Sequence, residues 1–171
     1  MDNTLINIKF LIEFFTVIVL IAFISSIPDI INMKIKDNKY KRKRSKNLAG
    51  VDKMSGEEFE KYLEELFKSM NYKVKRTPYQ KDFGADLIIE GNKHRYAVQA
   101  KRYTGNVGIK AVQEVVSAKA YYNCDGAIVV TNSRLTDAAK ELAKSNNVIV
   151  IQRKELKNYI KKYMSNKEGK K

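Results

Sequence analysis

Of the residue types that hold zinc, this chain of 171 residues has one cysteine and one histidine. A lone Cys124 excludes an intrachain disulfide and fits a reducing compartment; beside an apolar run it reads as a small core residue. A lone His94 excludes any His/Cys metal cluster. It falls in a turn, where a surface residue is the plain reading and a general base the sharper one. There is no P-loop, so the chain supplies no nucleotide-driven motor, and there are no internal repeats. Acidic side chains are scarce, 19 against 33 Lys and Arg, for a net charge of +14. Such an excess points to polyanions, either nucleic acid or anionic lipid. Residues 34–46 hold eight bases against one acid and residues 153–171 eight against two, whereas residues 47–152 hold sixteen against thirteen. The positive charge therefore lies mostly outside the central segment. A hydrophobic content of 44% is ample for a packed core.

Along the chain, residues 5–31 are the least soluble part. Phe14 to Ile27 carries no charge, and extension back to Leu5 admits only Lys9 and Glu13. About 20 apolar residues span a bilayer as a helix; Lys9 can snorkel, while Glu13 is a cost. Pro28-Asp29 marks the helix end. The rival readings are a cleavable signal peptide, which lacks an N-terminal Lys/Arg region and an A-x-A site, and an amphipathic or oligomerising helix. The basic run that follows predicts that the C-terminal side stays cytoplasmic. That run, Lys34 to Lys46, suits lipid headgroups as well as DNA phosphates. The expected layout is an anchor over 1–31, a basic linker over 32–53, a domain over 54–157 and a basic helix end and tail over 158–171.

The domain opens with Ser55 and Glu58, spaced as a capping box. Phe59, Tyr62, Leu63, Leu66, Phe67 and Met70 recur at helical spacing, with Glu60 on the border of that stripe. Glu60 is either a solvated flank charge or the acid best placed to face a site. Asn71 ends the helix, Tyr72 to Thr77 alternates like a strand, and Pro78 closes it. Ala85 to Ile89 and Tyr96 to Ala100 read as a hairpin around Glu90-Gly91-Asn92-Lys93. Residues 108–122 read as a helix with Ile109, Val112, Val116 and Ala120 inside. Gly126 to Val130 is an apolar strand of the buried, parallel kind. Thr136 caps a helix, Val148 to Ile151 is a last strand, and Leu156 to Met164 closes. Antiparallel strands first and helical crossovers later predict an α/β fold, a mixed sheet flanked by helices.

Within the hairpin, Gln99 and Lys101 lie two apart and so share a sheet face, within reach of Asp86. A carboxylate, an amide oxygen and an ammonium on one face of apolar strands can bind a divalent metal and polarise a water. The stretch Asp82-Phe83-Gly84-Ala85-Asp86 followed by Gln99-Ala100-Lys101 resembles the PD-(D/E)XK nuclease core, in particular the Mrr-type restriction endonuclease family. The resemblance runs from about Met54 to Leu156. It includes Gly56-Glu57-Glu58-Phe59-Glu60 as opening helix, Lys110-Ala111-Val112-Gln113-Glu114 as second helix, and Val129-Val130-Thr131-Asn132 as the following strand and exit.

The resemblance implies a restriction-endonuclease-like fold and Mg²⁺-dependent hydrolysis of DNA, often foreign or modified. Asp86 and Gln99 would hold the metal. Lys101 would orient water or stabilise negative charge, Glu60 would reach in from the helix, and Asp82 and Gln113 would support. Gln99 stands where the wider superfamily has an acid, which removes one negative charge from the site, but Mrr-type enzymes use Gln here. Arg102, Tyr103 and Lys110 are the candidates for nucleic-acid contact, a phosphate to the cations and a base to the ring. Expected partners are DNA and, through the N-terminal helix, the membrane; a homodimer stays open. The alternatives are a non-catalytic nucleic-acid-binding module on the same fold and a membrane protein whose globular part mediates assembly.

Overall fold

Ser55 and Glu58 bond reciprocally: the Glu58 N–H donates to Ser55 Oγ (3.1 Å) and the Ser55 N–H to Glu58 Oε2 (2.9 Å). In the computed structural model, which describes residues 12, 14–21, 23–25, 27–28, 31–32, 47–78 and 82–164, this box starts helix α2 (Gly56–Ser69) after a single turn, α1 (Leu48–Val51). Asn71, at φ +71°, takes the left-handed conformation that ends helices. The chain continues as β1 (Lys73–Arg76), β2 (Leu87–Gly91) and β3 (His94–Lys101), then α3 (Lys110–Tyr121), β4 (Gly126–Thr131), α4 (Asp137–Ser145), β5 (Ile149–Ile151) and α5 (Arg153–Tyr159), which runs into a wider turn over Ile160–Met164. The β2–β3 strands extend further into the connection than expected, leaving a two-residue loop. Asn92 and Lys93 both have positive φ (51° and 66°), as a tight hairpin turn of matching twist requires.

The sheet order is β1-β2-β3-β4-β5. The first three strands pair antiparallel and the last three parallel. Alternation along the strands divides the core in two. Leu87, Ile89, Val98, Ile128 and Val130 face α2 and α5, packing on Phe59, Leu63, Leu66 and Leu156. Ile88, Ala97 and Val129 face α3 and α4, packing on Val112, Val115 and Ala139. Helices thus cover both faces of a five-stranded mixed sheet. Cys124 is buried, as expected.

Two features depart from expectation. The inner face of α3 is Ala111, Val112, Val115 and Ala118, while Ile109 is exposed and Val116 only half-buried. Small residues let the helix lie close to the sheet, so side-chain bulk does not mark the buried stripe. The folded unit also reaches beyond residues 54–157: Val51 and Ile160 are buried in the α2 side of the core.

The N-terminal residues form a separate unit, Met1–Lys43, apart from Arg44–Lys171. Residues 14–21 and 23–25 are helical, with their large apolar side chains exposed. Among the described residues no helix is long and apolar enough to cross a membrane. The expected span over about 8–27 includes residues 8–11, 13, 22 and 26, which lie outside the described ones, as do the basic run 34–46 and the tail from 165.

Candidate active site

The hairpin register that sets Leu87 opposite Val98 carries Asp86 opposite Gln99. Alternation then puts Asp86, Gln99 and Lys101 on the face covered by α3. Gln99, 3% exposed, donates Nε2–H to Asp86 Oδ2 at 2.7 Å, and the Ala100 N–H donates to the same oxygen at 2.6 Å. Asp86 Oδ2 is thus fully engaged, and the carboxylate is fixed in orientation with Oδ1 left over. Thr77 holds the approach to β2: its hydroxyl donates to the Ala85 and Asp86 carbonyls (2.5 and 3.0 Å).

Asp86 sits in unusual electrostatics. Its carboxyl is pushed up from 3.8 to about 6. Burial is the largest cause; the negative charges of Glu60 and Asp82 add to it, while the Ala100 N–H and Lys101 work against it. Glu60 thus reaches the site through its field, from α2 on the other side of the sheet. Its carboxylate is held by Arg76 of β1, at 3.1 Å. Asp82 shapes the turn into β2, its Oδ1 accepting from the Gly84 N–H (3.0 Å) and its carbonyl from the Tyr122 hydroxyl (3.1 Å).

Lys101 has a partner that the sequence reading missed. Its Nζ lies 2.9 Å from Glu114 Oε2 on α3, and Lys110 Nζ lies 3.9 Å from Glu114 Oε1. The buried Oε2 has no hydrogen bond of good angle, so the distance is best read as charge pairing rather than a directed bond. Gln113, the neighbour expected to support the site, is exposed on α3. The helix is placed by Gly84, at φ +92°, where any Cβ would collide with the Glu114 backbone. That close approach brings the Glu114 carboxylate to Lys101. The i,i+4 spacing of Lys110 and Glu114 was visible in the sequence, but nothing in it indicated that Lys101 completes the pair.

The three residues expected to meet nucleic acid lie at or beyond the end of β3. Arg102 turns inward, one N–H donating to the Asp52 carbonyl at 3.4 Å and its Nε buried without a partner. Tyr103 is 52% exposed, and the Lys110 side chain extends into solvent.

Among the described residues no group of three or more His, Cys, Asp or Glu side chains is placed to hold a metal. The donors on offer are oxygens: Asp86 Oδ1, the Gln99 amide oxygen left after Nε2 is spent on Asp86, and backbone carbonyl. Such a set suits a hard cation that keeps several waters, as Mg²⁺ does. The raised Asp86 carboxyl, which feels the negative charges of Glu60 and Asp82, is also a place where a divalent charge would be favourable.

A family model described as Mrr_cat, restriction endonuclease, matches residues 51–160. No curated protein matches the chain in sequence. Among solved structures, the fold is similar to the DNA modification-dependent restriction endonuclease AspBHI, with a TM-score of 0.53 and 17% identity over 74% of this chain and 35% of that one. A protein of unknown function, AF1548, aligns with a TM-score of 0.46 and 14% identity over 54% of this chain and 55% of that one. The chain thus spans about half of one neighbour and about a third of the other.

Proposed function

Because this chain belongs to the Mrr_cat restriction endonuclease family, we propose that it is an Mg²⁺-dependent DNA endonuclease that hydrolyses phosphodiester bonds, acting on foreign or modified DNA and tethered to a membrane. The observation that carries the reading is the Asp86 carboxylate, fixed by Gln99 and Ala100 on the sheet face that Lys101 shares. When bound, the metal supplies Lewis-acid polarisation of the scissile phosphoryl group and lowers the pKa of a water. Asp86 Oδ1 would be its principal ligand, with the Gln99 side-chain oxygen and the Ala100 carbonyl as further donors.

The chain's own groups do the rest. Lys101 Nζ orients the attacking water and stabilises the negative charge that develops on the phosphate. Glu114 fixes that ammonium in place, so that no reorganisation is needed when charge appears. Glu60 and Asp82 add negative potential that favours a divalent cation beside Asp86. Lys110 and Tyr103 meet the DNA beside the site.

The test is plasmid cleavage by residues 44–171, which keep Val51 and Asp52 in the folded unit. Nicking or linearisation that requires Mg²⁺ is expected. DNA binding without cleavage under any divalent cation would replace the enzyme by a non-catalytic binding module.

Tethering rests on the apolar stretch over residues 8–27 and the basic run after it. In this reading residues 1–31 anchor, 32–46 link, and the nuclease domain, which takes in Leu48–Val51 and Asp52, lies in the cytoplasm, with a homodimer open. Fractionation of cells decides it: full-length protein in the soluble fraction, or a C-terminal tag reached from outside intact cells, refutes the arrangement.

A further inference from the structure

Two residues beyond Lys101, a cleft of about 460 Å³ opens between the Tyr103–Asn106 loop and the Asn132–Arg134 loop. It lies at the carboxyl ends of the adjacent parallel strands β3 and β4. Its two walls are fastened at both ends. The Tyr103 N–H donates to Asn132 Oδ1 at 2.8 Å, and the Val107 N–H donates to the Arg134 carbonyl at 2.8 Å in an isolated parallel bridge. The cleft is therefore preformed.

Part of its lining, which serves here as its floor, is a polar network. Arg153 meets Asp52 in two bonds of 2.8 Å, and the Asn132 Nδ2–H donates to the same carboxylate at 2.8 Å. The Arg153 bond is the largest cause holding the Asp52 carboxyl below its ordinary range, so the floor stays charge-paired near neutrality. Tyr103, 52% exposed, and Asn106, Ser133 and Arg134 line the rest of the cleft, and their side chains carry a ring, an amide, a hydroxyl and a guanidinium. Among the described residues the Tyr103 ring stacks on no other aromatic ring.

An aromatic face, an amide and a hydroxyl that both donate and accept, and one cation beyond the paired floor match a single nucleotide: base on ring, base edge on amide and hydroxyl, phosphate on guanidinium. A bare phosphate would leave the ring and the amide unused. We propose that this cleft takes one unpaired nucleotide of the DNA strand that is being cut. Lys101 and Tyr103 are two residues apart, at most about 7 Å of chain, and one strand advances about 3.4 Å per nucleotide. The captured nucleotide thus lies within a few positions of the scissile phosphate. Extracting a base from the stack is costly, least so where it is already unpaired, so the cleft favours DNA with a mismatch or bulge near the cut. The inference rests on the DNA-cleaving role argued above.

The experiment measures equilibrium binding of the full-length protein, in EDTA so that no cleavage intervenes, to a paired duplex and to the same duplex with one unpaired nucleotide. The wild type is expected to prefer the second duplex on the order of tenfold, the scale of one base–aromatic stack. Tyr103→Ala removes the preference and Tyr103→Phe, which retains the ring, keeps it. Equal affinity of the wild type for both duplexes, or a preference that survives Tyr103→Ala, overturns the proposal while leaving the nuclease reading in place. Loss of the preference on adding millimolar deoxynucleoside monophosphate at unchanged paired-duplex affinity assigns the cleft to nucleotide chemistry; no effect of the monophosphate on a preference that Tyr103→Ala abolishes assigns it to the strand itself. A protein that binds neither duplex refutes the DNA-cleaving role on which the proposal stands.

Discussion

Replacing Asp86 by Asn is expected to stabilise the metal-free protein while abolishing its activity. The Asp86 carboxyl is pushed up from 3.8 to about 6, chiefly by burial, with Glu60 and Asp82 adding to it against the Ala100 N–H and Lys101. At about 1.36 kcal/mol per pH unit, that rise is a cost on the order of 3 kcal/mol for holding the ionised group in the native state. The sign follows from proton binding. Below pH 3.8 both states carry the proton and there is no cost. As pH rises from about 4 to 6, the unfolded chain releases its proton first, so stability falls across that window, and above about 6 the full cost is in place. An Asn carries no charge, and its carbonyl oxygen can accept from both Gln99 and Ala100 where Asp86 Oδ2 now does.

The assay is urea unfolding of wild type and Asp86→Asn in EDTA at two pH values. The variant should exceed the wild type by about 2–3 kcal/mol at pH ~7.5, and the difference should vanish near pH ~3.5. Adding Mg²⁺ should then raise the wild type alone, by about 2.7 kcal/mol at a hundredfold excess over Kd. A variant no more stable than the wild type at neutral pH, or a gap equal at both pH values, would show that burial of the Asp86 charge is not what strains this site.

Asp86→Ala and Lys101→Ala should each abolish Mg²⁺-dependent plasmid cleavage with the circular dichroism spectrum unchanged, because groups that act as one unit fail together; activity retained in either removes that residue from the catalytic set. Glu114→Ala frees the Lys101 ammonium, so kcat should fall roughly tenfold or more with little change in KM, and an unchanged kcat would leave Glu114 a merely structural charge. Gly84→Ala forces a Cβ into the Glu114 backbone at φ +92°, which should cost about 2–4 kcal/mol in urea unfolding; near-neutral stability would contradict the packing of α3 described above. DNA affinity should drop steeply between about 50 and 200 mM salt, and binding that stays flat would mean that Lys and Arg make few phosphate contacts.

What the sequence disclosed and what it withheld differ in the range of the interaction involved. The capping box at Ser55, the positive-φ end at Asn71 and the parity of Gln99 and Lys101 are set within a few residues, and each appears in the fold where local rules place it. The direction of Asp86 needed one further step, the hairpin register, and the short loop with two left-handed residues supplies it. The buried face of α3 was misread because Ala111 and Ala118 lie inside while Ile109 lies out. Helical periodicity weighs bulk, whereas a helix held close to a sheet selects for its absence. Glu114 was passed over for the same reason. Its role depends on how closely α3 approaches Gly84 across thirty positions of chain, and only the bare Cα of Gly84 permits that approach. Likewise Asp52, expected in the linker, and Arg153, expected in the domain, lie 101 positions apart. Their pairing turns two surface charges into the floor of a cleft at the end of β3, so the chain's basic excess is in part neutralised where it meets the site.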